Sequence, residues 1–295
     1  MVLVVGATGL VGSEVCERLA RRGEKVRALV RGTSSKERTA ALHSCGVELR
    51  VGDLKDLDSI AATCRGVNAV ISTASSTRSR QAGDSIESVD AAGQLNLVNT
   101  AKSCNVGRFV FVSFRRSRAV SSPLGDAKEA VEKAITSLNF TTIQASCFME
   151  VWLSPSLGFD YANATARIYG TGRAPISWVS FRDVAEMCAV ALRHPAAERT
   201  TIEFGGPEAL SPLEVVARFE RIGGRPFKLE HVPELVLRSQ FQVATDSLQK
   251  SFAALMLGFI QGDAIDMAPV VDKFGIKLNS VDDYARSVLA RAATT

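Results

Sequence analysis

The stretch MVLVVGATGLVG, residues 1–12, is the part of the sequence that most clearly indicates the fold. An apolar run from Val2 to Val5 is typical of a buried strand, and glycines follow it at every third position, Gly6, Gly9 and Gly12. The first glycine allows a tight turn, the second lets backbone N–H groups approach a phosphate, and the third lets the next helix pack closely on the sheet. Between a strand and a helix, this spacing predicts the phosphate-binding turn of a dinucleotide fold. The alternative is a glycine-rich turn that binds no ligand.

Strand and helix patterns alternate from this turn to about residue 150. The apolar runs that predict further strands lie at residues 26–30, 47–51, 69–72, 108–112 and 141–144. Helical patterns separate them, including a long one over 86–104. Parallel strands joined in this way by right-handed crossovers form a doubly wound sheet, so we expect an α/β fold of the Rossmann type.

The alternation weakens after residue 150, and this change of pattern predicts two domains. We expect a dinucleotide-binding domain over residues 1–150, to which a segment near 176–205 returns. We expect a smaller, mostly helical domain on the substrate or partner side over 151–175 and 206–295. The apolar run over 253–260 predicts a buried helix or an interface. Five apolar residues either line a pocket or belong to a core: Phe148, Met149, Trp152, Phe159 and Trp178.

The composition is that of an ordinary globular protein. Of the 295 residues 46% are hydrophobic and 22% are charged, and a net charge of +4 is too small for this length to indicate a nucleic-acid partner. The six cysteines form no C-x-x-C pair and the three histidines are far apart, which argues against disulfides and against a metal site. We find no signal peptide and no apolar run of transmembrane length, so we expect a cytoplasmic protein without a membrane span.

The end of the second strand indicates which nicotinamide cofactor binds. An acid at this place holds the ribose of NAD, whereas an arginine accommodates the extra phosphate of NADP. Arg31 occupies the place, Lys36 follows it, and no acid lies between Lys25 and Lys36. The pattern therefore favours NADP(H) over NAD; the alternative is a solvated basic loop. From the residues alone we expect cofactor contacts at Gly6, Thr8, Gly9, Leu10, Val11, Gly12, Arg31 and Lys36.

Together with other motifs, the chain resembles an atypical short-chain dehydrogenase/reductase of the NmrA-like branch over nearly its whole length. The motifs are VVGATGLVG at 4–12, VRALVRG at 26–32, GDLKD at 52–56, VFVS at 110–113, AKEAVEKAI at 127–135, TGRAPISWVSFRDVAEM at 171–187 and EFGGPEALSPLEV at 203–215. The resemblance implies further cofactor contacts: with the adenine at Asp53 and Leu54, on the ribose side at Thr73, Ala74 and Ser75, near the nicotinamide at Ser113, Cys147 and Phe148, and with the nicotinamide ribose at Lys128.

The sequence departs from the superfamily at its main catalytic motif, Tyr-x-x-x-Lys. Leu124 stands where the tyrosine would be, four residues before Lys128, and the three tyrosines of the chain lie outside the motif, at Tyr161, Tyr169 and Tyr284. Isoflavone reductases of the same branch also resemble this case, with the lysine but no tyrosine. Lys128 is therefore either the general acid/base or only a ribose ligand, and Ser113 either orients the substrate or caps its strand.

Two functions follow from this departure. The first is an NADP(H)-dependent oxidoreductase that acts on a small apolar carbonyl, enone or quinone-like substrate, with Lys128 and Ser113 as catalytic residues. The second is a non-catalytic NADP(H) sensor of the NmrA type that contacts a protein partner. An accessory subunit that holds NADPH structurally is a third alternative. The resemblance suggests a monomer or a homodimer.

Overall fold

The computed structural model describes residues 1–78, 80–116 and 120–292, and the chain divides into two compact units. The first unit comprises Met1–Phe114, Ser122–Gln144 and Val184–Ile202. The second unit comprises Arg115–Ser121, Ala145–Asp183 and Glu203–Thr295. Each unit has a hydrophobic core of its own.

The elements are numbered in chain order. Among the described residues the strands are β1 (Val2–Val5), β2 (Val26–Val30), β3 (Glu48–Val51), β4 (Ala69–Ser72), β5 (Arg108–Phe114), β6 (Phe140–Ala145), β7 (Phe159–Asp160), β8 (Thr165–Tyr169), β9 (Thr200–Phe204) and β10 (Lys228–Val232). The α-helices are α1 (Leu10–Arg21), α2 (Lys36–Ser44), α3 (Leu57–Cys64), α4 (Gln94–Ser103), α5 (Pro123–Ile135), α6 (Met149–Trp152), α7 (Phe181–Ala191), α8 (Pro212–Gly223), α9 (Glu234–Val243), α10 (Ser247–Phe259), α11 (Ala268–Phe274) and α12 (Val281–Ala292). A π-helix, Ile86–Gly93, precedes α4, and short 3₁₀ helices occupy Pro155–Leu157 and Pro195–Ala197.

A seven-stranded sheet in the order β3-β2-β1-β4-β5-β6-β9 organises the first unit. The pairings among its first five strands are parallel, and they set Val5 opposite both Leu29 and Ser72. The strand order changes direction between β1 and β4, which is where a doubly wound sheet opens a crevice at the carboxyl ends of its strands. The predicted fold, a doubly wound Rossmann-type sheet, is confirmed.

The helix expected over 86–104 is present but is not one regular helix. Its first part, Ile86–Gly93, is a π-helix, and only the second part is α-helical. Ser85 begins the π-helix with a capping box, because its side chain accepts from the Ser88 N–H at 3.0 Å and the Ser88 side chain accepts from the Ser85 N–H at 2.9 Å. A π-helix of eight residues is too short to be recognised from its apolar pattern. Such segments are frequent at functional sites.

Helix α5 presents two charged residues on its buried face. Ser122 caps its start by accepting from the Gly125 N–H at 3.1 Å, and proline at the first helical position fits the missing donor there. Lys128 and Glu132 stand four residues apart, so they lie one above the other on the helix surface. Val131, next to Glu132, is fully buried. The helix therefore carries a lysine and a glutamate beside the core of the first unit.

The second unit contains a three-stranded sheet in the order β10-β8-β7 together with α6 and α8 to α12. The pairing of β8 with β10 is parallel and that of β7 with β8 is antiparallel. Strand β10 lies in a region for which the sequence predicted mostly helices, and its residues are largely exposed, so it lacks the apolar pattern of a core strand.

The core of the second unit contains most of the apolar residues that the sequence assigned to a pocket or a core. Met149, Phe159 and Trp178 are buried, and the Trp178 Nε1–H donates to the Leu210 carbonyl at 2.7 Å. Trp152 is partly buried and stacks on Phe259 of α10, with ring centroids 4.5 Å apart. Met149, Phe159 and Trp178 are therefore core residues, and the 253–260 run forms part of a helix that buries Ala253, Ala254, Leu257 and Phe259.

Two features are absent from the ranges that the structure describes. No helix there is long and apolar enough to cross a membrane. In the same ranges, no three side chains of the His, Cys, Asp or Glu type gather as metal ligands would.

Candidate functional site: a glycine turn and a buried polar cluster in the first unit

The glycine turn after β1 is shaped by its first and third glycines. Gly6 has a φ of 84°, and a Cβ there would lie 2.7 Å from both the Ala74 nitrogen and the Thr73 Oγ1. A Cβ on Gly12 would lie 2.2 Å from the Gly6 carbonyl oxygen. Packing within the protein therefore requires glycine at both positions, as the sequence predicted.

The middle glycine is less constrained than the other two. Gly9 is exposed and has an ordinary φ of −82°, but a Cβ there would still lie a tight 3.2 Å from the Gly6 carbonyl oxygen. It is the N-cap of α1, so no side chain caps the N–H groups of Leu10 and Val11 in the first turn, and that turn carries no acid. Free N–H groups at a helix start, next to an exposed glycine, form a site that can bind a phosphate.

The residues after β4 lie against this turn. The Thr73 N–H and Oγ1–H both donate to the Val5 carbonyl, at 2.9 and 3.2 Å. The Ala74 carbonyl accepts from the Gln94 Nε2–H at 2.9 Å, and the Ser75 Oγ lies 3.2 Å from a neighbouring hydroxyl. The parallel pairing of β1 and β4 brings these predicted residues to the edge of the sheet that carries the glycine turn.

Arg31, expected to hold a phosphate, is paired with an acid that the sequence did not suggest. Its Nη1 donates to the Asp84 Oδ2 at 2.6 Å, and the Lys55 ammonium donates to the same carboxylate. Burial alone would raise the pKa of Asp84, but the hydrogen bond from Lys55 and the nearby positive charges hold it below its ordinary value. The pairing places Arg31 in a charged cluster at the carboxyl end of β2.

A second arginine also reaches the glycine turn. The Arg38 Nη1 donates to the Thr8 carbonyl at 2.7 Å, whereas the predicted Lys36 is exposed at the start of α2. The sequence analysis overlooked Arg38. Its position one helical turn beyond the cap Ser35 was the available signal, because a side chain there projects back toward the start of the helix.

Asp53 and Leu54 follow β3 and have different surroundings. The Asp53 carboxylate accepts from the Lys55 N–H at 2.8 Å and from the Lys55 ammonium at 2.9 Å. Leu54 is buried, and a Cβ on Gly93 of the π-helix would lie 2.9 Å from the Leu54 Cβ. The close approach of the π-helix thus fixes the position of Leu54.

A buried ion pair lies between the π-helix and α5. Asp90, fully buried, accepts through its Oδ2 from the Ser76 N–H at 2.9 Å and from the Ser76 hydroxyl at 2.6 Å. In the described part of the chain its Oδ1 has no hydrogen-bond partner, and the Lys128 Nζ lies 3.8 Å from it. A buried carboxylate oxygen without a donor is uncommon and often marks a place where a ligand or water binds.

Lys128 is packed against the end of β5. Its Nζ lies 3.5 Å from the Val112 carbonyl oxygen and 4.8 Å from the centre of the Phe111 ring. Burial lowers the pKa of Lys128 below its ordinary value, and the negative charges of Asp90 and Glu132 offset this only in part. The lysine is therefore a cation with long contacts and a weakened hold on its proton.

Ser113, the other predicted catalytic residue, is bonded to a glutamate. The Ser113 hydroxyl donates to the Glu132 Oε1 at 2.5 Å, and the Gln144 Nε2–H donates to the Glu132 Oε2 at 3.1 Å. Ser113 lies within β5 rather than just after it and is buried. The sequence analysis missed Glu132 and Asp90; the only signal for Glu132 was its place four residues after Lys128 on one helix.

Comparison with known proteins identifies the family. The model of the NmrA-like family matches residues 1–285. The chain belongs to the NmrA-like family. The photosystem II assembly factor Ycf39 of Synechocystis sp. is 28% identical over 305 residues, covering 98% of this chain and 91% of that protein. The isoflavone reductase homolog IRL of Zea mays is 29% identical over 316 residues and 98% of each chain.

A solved structure with the same fold is the NADPH complex of the NADPH-dependent quinone oxidoreductase QOR2 from Escherichia coli. Its TM-score is 0.78, with 20% identity, and the match covers 98% of this chain and 99% of that one. At this identity the match shows the fold. The resemblance to the NmrA-like family that the sequence motifs suggested is confirmed.

This member of the NmrA-like family has no tyrosine in its first unit. Leu124 is buried on α5, and the chain's tyrosines all belong to the second unit. The hydroxyls of Tyr169 and Tyr284 donate to backbone carbonyls there, at 3.2 and 3.0 Å. Within the first unit, the groups available for acid–base chemistry near the end of β5 are thus lysine, serine and carboxylates.

Cys147 and Phe148, expected to flank the nicotinamide, belong to the second unit. The Cys147 carbonyl accepts from the Val179 N–H at 3.0 Å, and burial raises the pKa of the Cys147 thiol. Their contact with a cofactor stays a prediction.

Proposed function

We propose that this chain binds NADP(H) on its first unit and reduces a small apolar carbonyl, enone or quinone-like substrate. One observation carries the proposal: the first unit combines a helix start that no side chain caps, beside the exposed Gly9, with a buried lysine whose contacts are long. The first feature suits a phosphate and the second suits a group that handles a proton. The named activities of IRL and QOR2, a reductase homolog and an oxidoreductase, support the same reaction class.

The residues of the first unit divide the cofactor among them. The N–H groups of Leu10 and Val11 would hold the pyrophosphate, because the start of α1 attracts negative charge. Arg31 and Arg38 would hold the extra phosphate of NADP, since guanidinium groups bind phosphate oxygens in pairs. NADPH, when bound, supplies the hydride.

Lys128 has a donor to offer a ligand. Its ammonium has three N–H groups, and the Val112 carbonyl and the Asp90 Oδ1 can engage two of them at the long distances given above. The third can bind a ribose hydroxyl or the oxygen of a substrate. Because burial lowers its pKa, Lys128 releases a proton more readily than an exposed lysine, which suits the protonation of an oxygen that gains negative charge during reduction.

A second candidate is an NADP(H) sensor without a reaction of its own. The specific observation in its favour is Leu124, which carries no proton at the position of the superfamily's catalytic tyrosine. The name of the relative Ycf39, an assembly factor, agrees with a protein partner for this type of chain. In this case Lys128 binds the cofactor ribose and performs no proton transfer.

The experiment compares the wild type with Gly9→Ala and with the control Gly107→Ala, whose Cβ would meet only the Asn68 oxygen at an ordinary 3.5 Å. NADPH binding is followed by fluorescence, and its oxidation by absorbance with a panel of para-quinones, enones and aldehydes. We expect Gly9→Ala to bind NADPH at least about tenfold more weakly, as expected when a methyl group displaces one phosphate hydrogen bond. Gly107→Ala should bind normally. Equal binding by all three proteins would refute the placement of the phosphate.

Turnover separates the two candidates. Oxidation of NADPH that Lys128→Met abolishes supports the reductase. Tight NADPH binding without oxidation by any compound of the panel supports the sensor.

Cofactor selectivity is tested by Arg31→Ser. If Arg31 contacts the extra phosphate, the variant should lose about tenfold or more in affinity for NADPH and little for NADH. Equal losses for the two cofactors would show that Arg31 acts only through its pair with Asp84.

A further inference from the structure

Ser113, Glu132 and Gln144 form a chain of hydrogen bonds across three neighbouring elements of the first unit. Ser113 belongs to β5, Glu132 to α5 and Gln144 to β6. The serine hydroxyl lies 2.5 Å from one carboxylate oxygen and the amide nitrogen lies 3.1 Å from the other. The glutamate is thus held from both sides.

The direction of each bond follows from the number of protons available. A carboxylate only accepts hydrogen bonds, so Ser113 and Gln144 must both be donors. A serine hydroxyl has one proton, and that of Ser113 is directed at Glu132. In the described part of the first unit no donor points at the Ser113 Oγ. The oxygen therefore keeps its lone pairs for another donor.

We propose that Glu132, fixed by Gln144, is a positioning residue that makes Ser113 a hydrogen-bond acceptor toward the bound ligand. The ligand must then carry an O–H or N–H group at this point, while Lys128 supplies the donor for a ligand oxygen. The proposal rests on the proposed function, which brings a ligand to Ser113. It adds to that function a rule for the ligand, which must offer a hydrogen-bond donor to Ser113 and an acceptor to Lys128.

Two ligand groups have this chemistry. One is the carboxamide of the nicotinamide ring, and the other is a hydroxyl on a substrate next to its reacting carbonyl. The N–H or O–H donor of each group can be removed without a large change of shape. In the acetylpyridine analogue of NADP⁺ a methyl ketone replaces the carboxamide. In the methyl ether of a hydroxyquinone a methyl group replaces the hydroxyl hydrogen.

The side chains of the chain offer a matched set of variants. In Glu132→Gln, with the Gln144 amide donating as it does in the wild type, the new amide accepts from Gln144 through its oxygen, so its NH₂ group turns toward Ser113 and donates to the Oγ. Ser113 then directs its own proton at the ligand. In the double variant Glu132→Gln with Gln144→Glu, the new carboxylate accepts from the NH₂ of residue 132, whose carbonyl oxygen again accepts from Ser113. The double variant thus restores the original direction with the same set of side chains.

The measurement is the dissociation constant of each ligand pair for the full chain and its variants. The first pair is NADP⁺ and its acetylpyridine analogue, and the second is a hydroxyl-substituted para-quinone and its methyl ether, added to protein saturated with NADP⁺. We expect the wild type to prefer the donor-bearing member of one pair by about tenfold, the effect of one hydrogen bond. Glu132→Gln should remove or reverse this preference and the double variant should restore it.

Ser113→Ala is the second variant, because it removes the acceptor and leaves Glu132 unchanged. It should also lose the preference. A preference in the first pair identifies the carboxamide as the ligand group, and one in the second pair identifies the hydroxyl. If all proteins bind NADP⁺ but show the same ratio within each pair, the proposal is overturned while cofactor binding stands. If the wild type binds neither NADP⁺ nor NADPH, the proposed function fails and this proposal fails with it.

Discussion

Strand β5 is associated with two buried cations, Arg108 within the strand and Lys128 packed against its end. The two differ in how many of their N–H groups make hydrogen bonds. Arg108, the first residue of the strand, donates to the Ala191 carbonyl at 2.8 Å, to the Ala197 and Asn139 carbonyls at 3.0 Å, and to the Thr141 hydroxyl. Lys128, near the other end, makes no hydrogen bond or ion pair shorter than 3.5 Å within the part of the chain that the structure describes, and its Nζ lies 3.5 Å from the Val112 carbonyl and 3.8 Å from the Asp90 carboxylate.

The difference distinguishes a structural cation from one available to a ligand. Burial lowers the pKa of both side chains, so both bear the cost of desolvation. At Arg108, hydrogen bonds to several surrounding acceptors offset this cost. The partner of Lys128, Asp90, keeps one carboxylate oxygen without a hydrogen bond in the described part of the chain. A buried polar network that is complete stabilises the fold, and one that is incomplete indicates where a ligand completes it.

The largest effect is expected for Arg108→Met. The substitution leaves the buried Ala191 carbonyl without its donor, while the Asn139 and Ala197 carbonyls keep the Phe109 N–H and the Thr141 hydroxyl, so we expect the free energy of unfolding to fall by about 2 to 4 kcal/mol. Urea unfolding measures it. Arg108→Lys should recover less than half of the loss, because an ammonium cannot reach acceptors arranged around a planar guanidinium. A loss below about 1 kcal/mol would show that the buried acceptors find other donors and that Arg108 is not needed for stability.

Lys128→Met should have a smaller effect on stability and a larger one on binding. Asp90 keeps its two bonds from Ser76 and loses an ion-pair partner whose Nζ lies 3.8 Å away, so we expect a loss of about 1 to 3 kcal/mol in the free energy of unfolding. NADPH affinity should fall by about tenfold or more, while folded Arg108→Met should bind NADPH as the wild type does. Normal NADPH binding by Lys128→Met would place the lysine with the structural cations.

The sequence predicted the parts of the site that depend on neighbours along the chain. The strand after residue 1, the glycine turn and the start of α1 form a continuous segment, and the chemistry of Gly6, Gly9 and Gly12 can be read directly from it. The family motifs added Lys128 and Ser113. The cofactor contacts of all these residues stay predictions that the experiments above test.

The sequence did not predict the partners that come from far along the chain. Arg31 meets Asp84 and Lys128 meets Asp90 only because the folded chain brings loops after different strands together. The π-helix that carries Asp90 was also missed, since its eight residues are too few to determine the period of an apolar pattern. Burial of Asp90 could not be foreseen either, because an isolated aspartate in a helical pattern is usually exposed.

The pH dependence of stability tests whether burial lowers the pKa of Lys128. In the unfolded chain this lysine has an ordinary pKa, and in the folded chain burial lowers it, so the unfolded state holds the proton more tightly between the two values. Raising the pH through this interval removes the proton and relieves the cost of burying the charge. We therefore expect the stability of the wild type, relative to Lys128→Met, to rise as the pH approaches the ordinary lysine value. Urea unfolding of both proteins over this range measures the difference; a difference that falls with pH would contradict the lowered pKa.

The smallest effect is expected on the opposite face of α5. Lys133 and Glu129 form an i,i+4 ion pair at 2.6 Å, the same spacing that separates Lys128 from Glu132, but the Lys133 side chain is 76% exposed. Water and salt screen such a pair, so Lys133→Ala should change the free energy of unfolding by no more than about 0.5 kcal/mol. NADPH affinity should not change, which a fluorescence titration checks. Because both pairs share one helix and one spacing, a large effect of Lys133→Ala would mean that loss of helical structure in α5 explains the Lys128→Met result. A negligible effect assigns that result to burial.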